Sequence, residues 1–262
     1  HSRSHNSLLK TMHGFLDCPP QPRPVPNPNC RLIIDGTWFG RKVCLLVYWD
    51  VTLKRVQWWR LTDGERFLEV LADLETLKQA GVVCASVTSD GAPGLLAGVN
   101  GVYPDIPHQR CVTHVQRRLR ALVTRRPKTV AGRELSLLIP SLSLVTNETD
   151  RQLWVNLFWQ WSGRWEVFLN ERSRSKDRRH WWYTHKQLRQ ARSLVQGVLP
   201  DLFHYLVDAR IPKTSNDLEG RFSSFKQHYG QHRGLSLRRR GGFIAWYLTV
   251  VVNGDLPTRN WY

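Results

Sequence analysis

Acidic side chains are scarce in this sequence: 21 Asp and Glu stand against 38 Lys and Arg in 262 residues, a formal net charge of +17. Cysteine is scarce too. Cys18, Cys30, Cys44, Cys84 and Cys111 are odd in number and scattered, which argues against a disulfide framework. No apolar run reaches the roughly 18 residues of a membrane span, so no membrane partner is expected. No internal repeat is visible, and the opening His1-Ser2-Arg3 has neither an initiator methionine nor a signal-peptide pattern; the chain reads as entered partway through.

What is present is a globular composition, with 41% hydrophobic residues and 12 tryptophans. The length permits one or two domains. A positive excess of this size attracts polyanions, of which nucleic acid is the commonest, although a merely soluble basic enzyme is the plain alternative. The excess falls into three runs. One covers Arg110, Arg117, Arg118, Arg120, Arg125, Arg126, Lys128 and Arg133, with no acid between Arg110 and Arg133. A second extends from Arg172 to Arg192 and a third from Arg221 to Arg240, whereas the segment Asp63 to Glu75 is acidic. Each run alone could be a solvated helix face; together they favour a surface that follows a phosphate backbone.

Residues 4–16 have the pattern of a short helix, and the proline-rich stretch from Pro19 to Pro28 reads as a stiff linker, placing a boundary near residue 29. β-patterned segments follow at 31–36, 41–50 and 53–61, the last two as a hairpin. Apolar residues at helical spacing predict a helix over 64–80, then a strand at 82–91, a helix at 92–102 and a short strand at 108–114. This order predicts an α/β fold with one mixed sheet flanked by helices. From about 116 to 208 the β signal disappears, and helices are expected at 131–145, 150–171 and 184–208. Two more are expected at 214–229 and 236–252. The organisation is therefore read as an upstream remnant and linker (1–28), a first core segment (29–115), a helical insertion (116–208) and a C-terminal core segment (209–262). Most tryptophans are expected in the core, with one or two among those at 159–182 as candidates for stacking on an unpaired base.

Asp35 and Asp90 each end a predicted strand and each precede a glycine. Ligands of such sheets bind beyond the carboxyl ends of the strands. Two carboxylates brought together there repel unless a cation lies between them, and oxygen-rich sites of this kind suit Mg²⁺ or Mn²⁺. Taken singly, each Asp-Gly is more often simply a turn. A third acid comes from 212–226, where Asp217 and Glu219 lie at the start of a predicted helix. Both also suit simple charge compensation there, and position alone does not choose between them.

The blocks DGTWFG (35–40), SDGAPGLLAGVNGVYP (89–104), HQRCVTHVQRRLR (108–120) and TSNDLEGRFSSFKQHYGQHRGLSLRRR (214–240) resemble, in this order, the bacterial Mutator-type (MULE-like) insertion-sequence transposases. The resemblance implies an RNase H-like fold with an all-helical insertion before the last catalytic helix. It implies a DDE triad of Asp35, Asp90 and Glu219, serving as both catalytic and metal-binding residues, with 55 residues between the aspartates and 129 from Asp90 to the glutamate. Ser215-Asn216 stands where the family usually has Thr-Asn. The activity implied is metal-dependent DNA strand cleavage and strand transfer by two-metal-ion phosphoryl transfer, with Mg²⁺ or Mn²⁺ as cofactor. The alternatives are an RNase H-fold nuclease without transfer activity and a non-catalytic basic DNA-binding protein of domesticated-transposase type. The family's Cys-x-x-His motif falls on Cys111 and His114. Cys111 is read as a packing residue, and His114 as a hydrogen-bond donor to the scissile phosphate or a catalytic acid, or as a structural histidine. Arg110, Arg117, Arg118, Arg221, Lys226 and Arg233 are the candidate DNA contacts. The implied partners are terminal inverted repeats, target DNA and a second copy of the chain, in the cytoplasm of a bacterium at its nucleoid. An upstream DNA-binding domain is also implied.

Overall fold

A computed structural model describes residues 5–39, 43–177, 179–231 and 234–255. In chain order it contains α1 (His5–Asp17), β1 (Asn27–Phe39), β2 (Val43–Asp50), β3 (Arg55–Thr62), α2 (Phe67–Gln79), β4 (Val82–Ser89), α3 (Pro93–Val102) and β5 (His108–Arg110). There follow α4 (Val112–Val123), α5 (Val130–Ser141), α6 (Glu148–Arg164), α7 (Glu166–Leu169), β6 (Arg172–Arg174), β7 (Trp181–Tyr183), α8 (Lys186–Val198) and α9 (His204–Val207). α10 (Asn216–Gln231) and α11 (Leu237–Trp246) come last, and a π-helical turn over Tyr247–Val252 continues α11.

The main sheet has the order β3-β2-β1-β4-β5. β1 is antiparallel to β2 and parallel to β4, and β2 is antiparallel to β3. This mixed five-stranded sheet, flanked by helices, is the RNase H-like arrangement that the resemblance implied. Contacts divide the chain into one unit of residues 1–107 with 215–262 and another of residues 108–214.

In the first unit both faces of the central strands are covered, so β1 and β2 read as nearly unbroken apolar runs. Alternation along β1 sends Leu32 and Ile34 to one face, with Leu46, Tyr48, Val70 and Leu74 beneath α2 and α3. It sends Ile33 to the other, with Leu45, Val47, Trp49, Leu218, Phe222 and Phe225 beneath α10. Asp73, buried on α2, accepts hydrogen bonds from Tyr48 Oη (3.0 Å), Trp58 Nε1 (2.8 Å) and Arg60, fastening that helix to β2 and β3. α1 is docked rather than loose: Asp17 pairs with Arg239 at 2.9 Å, and Trp246 Nε1 donates to the Phe15 carbonyl.

Gly94, on the first turn of α3, lies against the backbone of Glu65; a Cβ there would overlap the Glu65 carbonyl oxygen. Backbone cannot swing aside as a side chain can. Gly94→Ala is therefore expected to cost about 1–3 kcal/mol, seen as a lower thermal midpoint. An unchanged midpoint would mean that α3 does not approach so closely.

The second unit is built around Val115, Leu119, Leu135, Trp154, Phe158, Trp161 and Val195, contributed by α4, α5, α6 and α8. Thr129 and Asn147 cap α5 and α6 by accepting the Gly132 and Asp150 amides. Trp154 and Trp161 are core residues as expected, whereas Trp159, Trp181 and Trp182 are exposed.

Three expectations change. The unit is not all helical, because β6 and β7 pair antiparallel as a small hairpin. The strand expected over 108–114 stops at Arg110, and Val112 already begins α4. The helix expected over 184–208 ends at Val198, two residues before Pro200. No described helix is long and apolar enough to cross a membrane.

Candidate active site

Asp35 lies within β1, between Ile33 and Thr37 at the strand's period of two, and so shares the face that Ile33 turns toward α10. It is only 6% exposed. On α10, Leu218, Phe222 and Phe225 form the stripe that seats the helix on the sheet. Glu219 stands beside that stripe on the first turn, half-buried. Strand and helix together bring a carboxylate oxygen of Asp35 within 4.8 Å of one of Glu219. Asp217, the alternative acid, is exposed on the same turn.

Asp90 arrives by register. β1 and β4 run parallel with Ile33 opposite Thr88 and Ile34 opposite Ser89, so the next residues on the two chains are Asp35 and Asp90. Adjacent strands lie about 4.8 Å apart. Asp90 also makes a turn: its Oδ1 accepts the Ala92 amide at 2.9 Å, and Gly91 takes the φ of 73° that this needs. The turn reading and the site reading of Asp90-Gly91 are thus compatible. Among the described residues, the ligand atoms gathered within 4.8 Å include those of Asp35 and Glu219 but not Asp90.

The negative potential here registers on a neighbour. Burial pushes the Cys44 thiol up to about 12, and the charges of Glu65, Asp35 and Asp90 add to the effect. Cys44 therefore stays a neutral thiol at physiological pH. Two close carboxylates from different elements, with a third one strand away, form a hard-oxygen donor set that suits a small divalent cation. The residues fit the metal that the resemblance implies.

The remaining expected residues are distributed as follows. Cys111 is fully buried at the start of α4. His114 is half-buried on the first turn of that helix, with Nε2 3.3 Å from Nη1 of Arg117. Arg117 and Arg118 are exposed, as are Arg221 and Lys226, and the Arg221 guanidinium lies over the Trp49 ring at 4.4 Å. Arg110 differs: it is only 6% exposed in β5 and presents little surface to a phosphate. Arg233, with His232, lies outside the described residues.

Two chains of the HTLV-2 integrase catalytic core domain in complex with magnesium are among the solved structures that match. The trimeric form is 17% identical with a TM-score of 0.26, and the dimeric form 18% identical with a TM-score of 0.24. Each match covers 38% of this chain and 72% of the integrase chain. A search of curated proteins finds no match. Residues 59–160, the stretch that holds Asp90, Cys111 and His114, match the model of the transposase family described as "Transposase, Mutator family". Over that stretch the chain is similar to the Mutator-family transposases, as its sequence blocks implied.

Proposed function

We propose that this chain is the catalytic part of a DDE-type DNA transposase that cleaves DNA at the ends of a mobile element and joins the freed ends to target DNA. The observation that carries this reading is the approach of Asp35 and Glu219 to within 4.8 Å, from elements far apart in sequence, in a chain of Mutator-family likeness. Asp35, Asp90 and Glu219 would hold one or two Mg²⁺ or Mn²⁺ ions, which when bound polarise a phosphodiester and lower the pKa of an attacking hydroxyl.

The chain's own groups do the positioning. Burial of Asp35 fixes its carboxylate and excludes bulk water, and α10 delivers Glu219 through a packed apolar stripe rather than a loose loop. His114 is proposed to donate a hydrogen bond to the scissile phosphate. In the first reaction a water oxygen forms a bond to phosphorus and the bond to the 3′-oxygen breaks, leaving a 3′-hydroxyl and a 5′-phosphate. In the second, that 3′-hydroxyl attacks a target phosphodiester and displaces another 3′-oxygen. Because two ends must be joined to one target, the working form is proposed to be a dimer.

Arg117, Arg118, Arg221 and Lys226, all exposed, are the proposed backbone contacts. Lys226→Ala should weaken binding alike for all DNA sequences and lower the slope of log affinity against log salt by about 1. A salt titration followed by fluorescence anisotropy measures it, and an unchanged slope would remove Lys226 from the contact surface. The reaction itself is tested by incubating the protein with element-end DNA and Mg²⁺, then mapping 3′-hydroxyl ends and joined products. Cleavage without joining would favour a nuclease; binding without cleavage would favour a purely DNA-binding role.

A further inference from the structure

The β6–β7 hairpin carries large aromatic rings that bury little of themselves: Trp181 and Trp182 are each half exposed. Arg172 pairs with Tyr183, Ser173 with Trp182 and Arg174 with Trp181. Successive side chains of a strand point to opposite faces. Arg172, Arg174, Trp181 and Tyr183 therefore share one face of the ribbon, and Ser173 and Trp182 the other. On the first face rings and cations interlock. The Arg172 guanidinium lies over the Trp181 ring at 4.3 Å, and that of Arg189 over the Tyr183 ring at 3.7 Å. Trp181 meets Tyr183 edge-on at 5.3 Å, and Arg189 also donates to Asn170 Oδ1. These groups are positioned before any ligand arrives, which lowers the ordering cost of binding.

Tyr183 and Arg189 also line a groove of about 780 Å³ between α4 and α8, with Arg118, Lys186, Gln190 and Ser193. Its described lining holds three cations and no carboxylate. Between Arg172 and Arg192 the sequence has one acid, Asp177, and its Oδ1 already accepts from Ser175 and the Arg179 amide. Glu171, at the border, faces His185 at 3.0 Å. The geometry points to this face as a binding track for single-stranded DNA, in which the Trp181 ring stacks on an unpaired base and Arg118, Lys186 and Arg189 hold phosphates. The choice of DNA rests on the proposed function; the track itself does not depend on the three acids. Duplex DNA would satisfy the cations, but its bases are stacked on one another and offer no free ring face to a tryptophan. An acidic polypeptide would likewise meet the cations without using the ring. A merely structural role for Trp181 would be served by burying it, and half of it is left exposed.

The test compares an oligothymidylate of about 12 nucleotides, within the usual span of single-strand sites, with a duplex of equal length. Both are titrated with the full chain in metal-free buffer at fixed low salt and followed by fluorescence anisotropy. Trp181→Ala should weaken oligothymidylate binding by roughly tenfold while leaving duplex affinity and the thermal midpoint unchanged. Trp181→Leu, which keeps apolar bulk but no ring, should lose as much and supplies the test should the alanine variant fail to fold. Trp182→Ala, on the opposite face, and Asp35→Asn should both bind as the wild type does. Equal losses for oligothymidylate and duplex, or for Trp181→Ala and Trp182→Ala, would overturn stacking on this face. Poly-glutamate that displaces the oligothymidylate as well as unlabelled oligothymidylate does would show a site for acidic chains instead. A wild-type chain that cleaves element ends but binds no oligothymidylate would end this proposal and leave the catalytic reading standing.

Discussion

Asp35→Asn is expected to reduce DNA end cleavage by on the order of 10⁴-fold while leaving the fold intact. The substituted amide keeps the volume and one carbonyl oxygen in a pocket where the native side chain is 6% exposed, so packing is preserved and the charge is lost. A neutral amide is a poor ligand for a hard divalent cation. The acids are proposed to act as a unit, so the effects of substitution should not add: Asp35→Asn combined with Glu219→Gln should be little worse than either alone. Single-turnover cleavage of end-bearing DNA across the four combinations decides this. Multiplicative losses would mean that the two carboxylates serve separate steps rather than one centre.

Asp73→Ala should be the most damaging change away from the site, lowering stability by about 3–5 kcal/mol. Its carboxylate satisfies the Tyr48 hydroxyl, the Trp58 indole N–H and the Arg60 guanidinium together. Truncation leaves a buried phenol and a cation facing an apolar void under α2. In a chain of this size the thermal midpoint should fall by roughly 10 °C, while Asp73→Asn, which still accepts hydrogen bonds, should lose less. Burial, and after it the nearby Asp73 charge, holds the Tyr48 phenol well above its ordinary value of 10.0. A group whose folded pKa is raised stabilises below its unfolded value, and that stabilisation is lost as pH rises above it. Stability should therefore decline above about pH 10, and Tyr48→Phe should flatten the decline in alkaline melts. A loss in Asp73→Ala no larger than that of a surface substitution would show that the three donors find water instead.

The parts of the fold that the sequence made legible are those with long periodic signals. β1, β2 and β3 are runs of eight residues or more rich in apolar, β-branched and aromatic residues, and α2 repeats its apolar residues across thirteen. The β6–β7 hairpin escaped notice because each strand is three residues long and rich in arginine and tryptophan, which neither alternate nor bury. β5 was read as too long because Cys111 and Val112 extend its apolar pattern, although they begin α4. Arg110 looked like a phosphate ligand because burial depends on strand placement, which composition does not report.

The candidate site was legible in part. Asp90 directly follows β4 as its local pattern indicated, whereas Asp35 lies inside β1, which runs on to Phe39 rather than ending at the acid, and β1–β4 register sets the two side by side. The choice of Glu219 over Asp217 came from the family motif, and in the structure it is Glu219 that stands beside Asp35.

Crystals of the protein grown with Mn²⁺ and examined by anomalous diffraction would test the convergence of the acids most directly. A Mn²⁺ peak coordinated by Asp35, Asp90 and Glu219 together is the expected result. Density confined to other residues, with the Asp90 carboxylate making no contact to the ion, would contradict it.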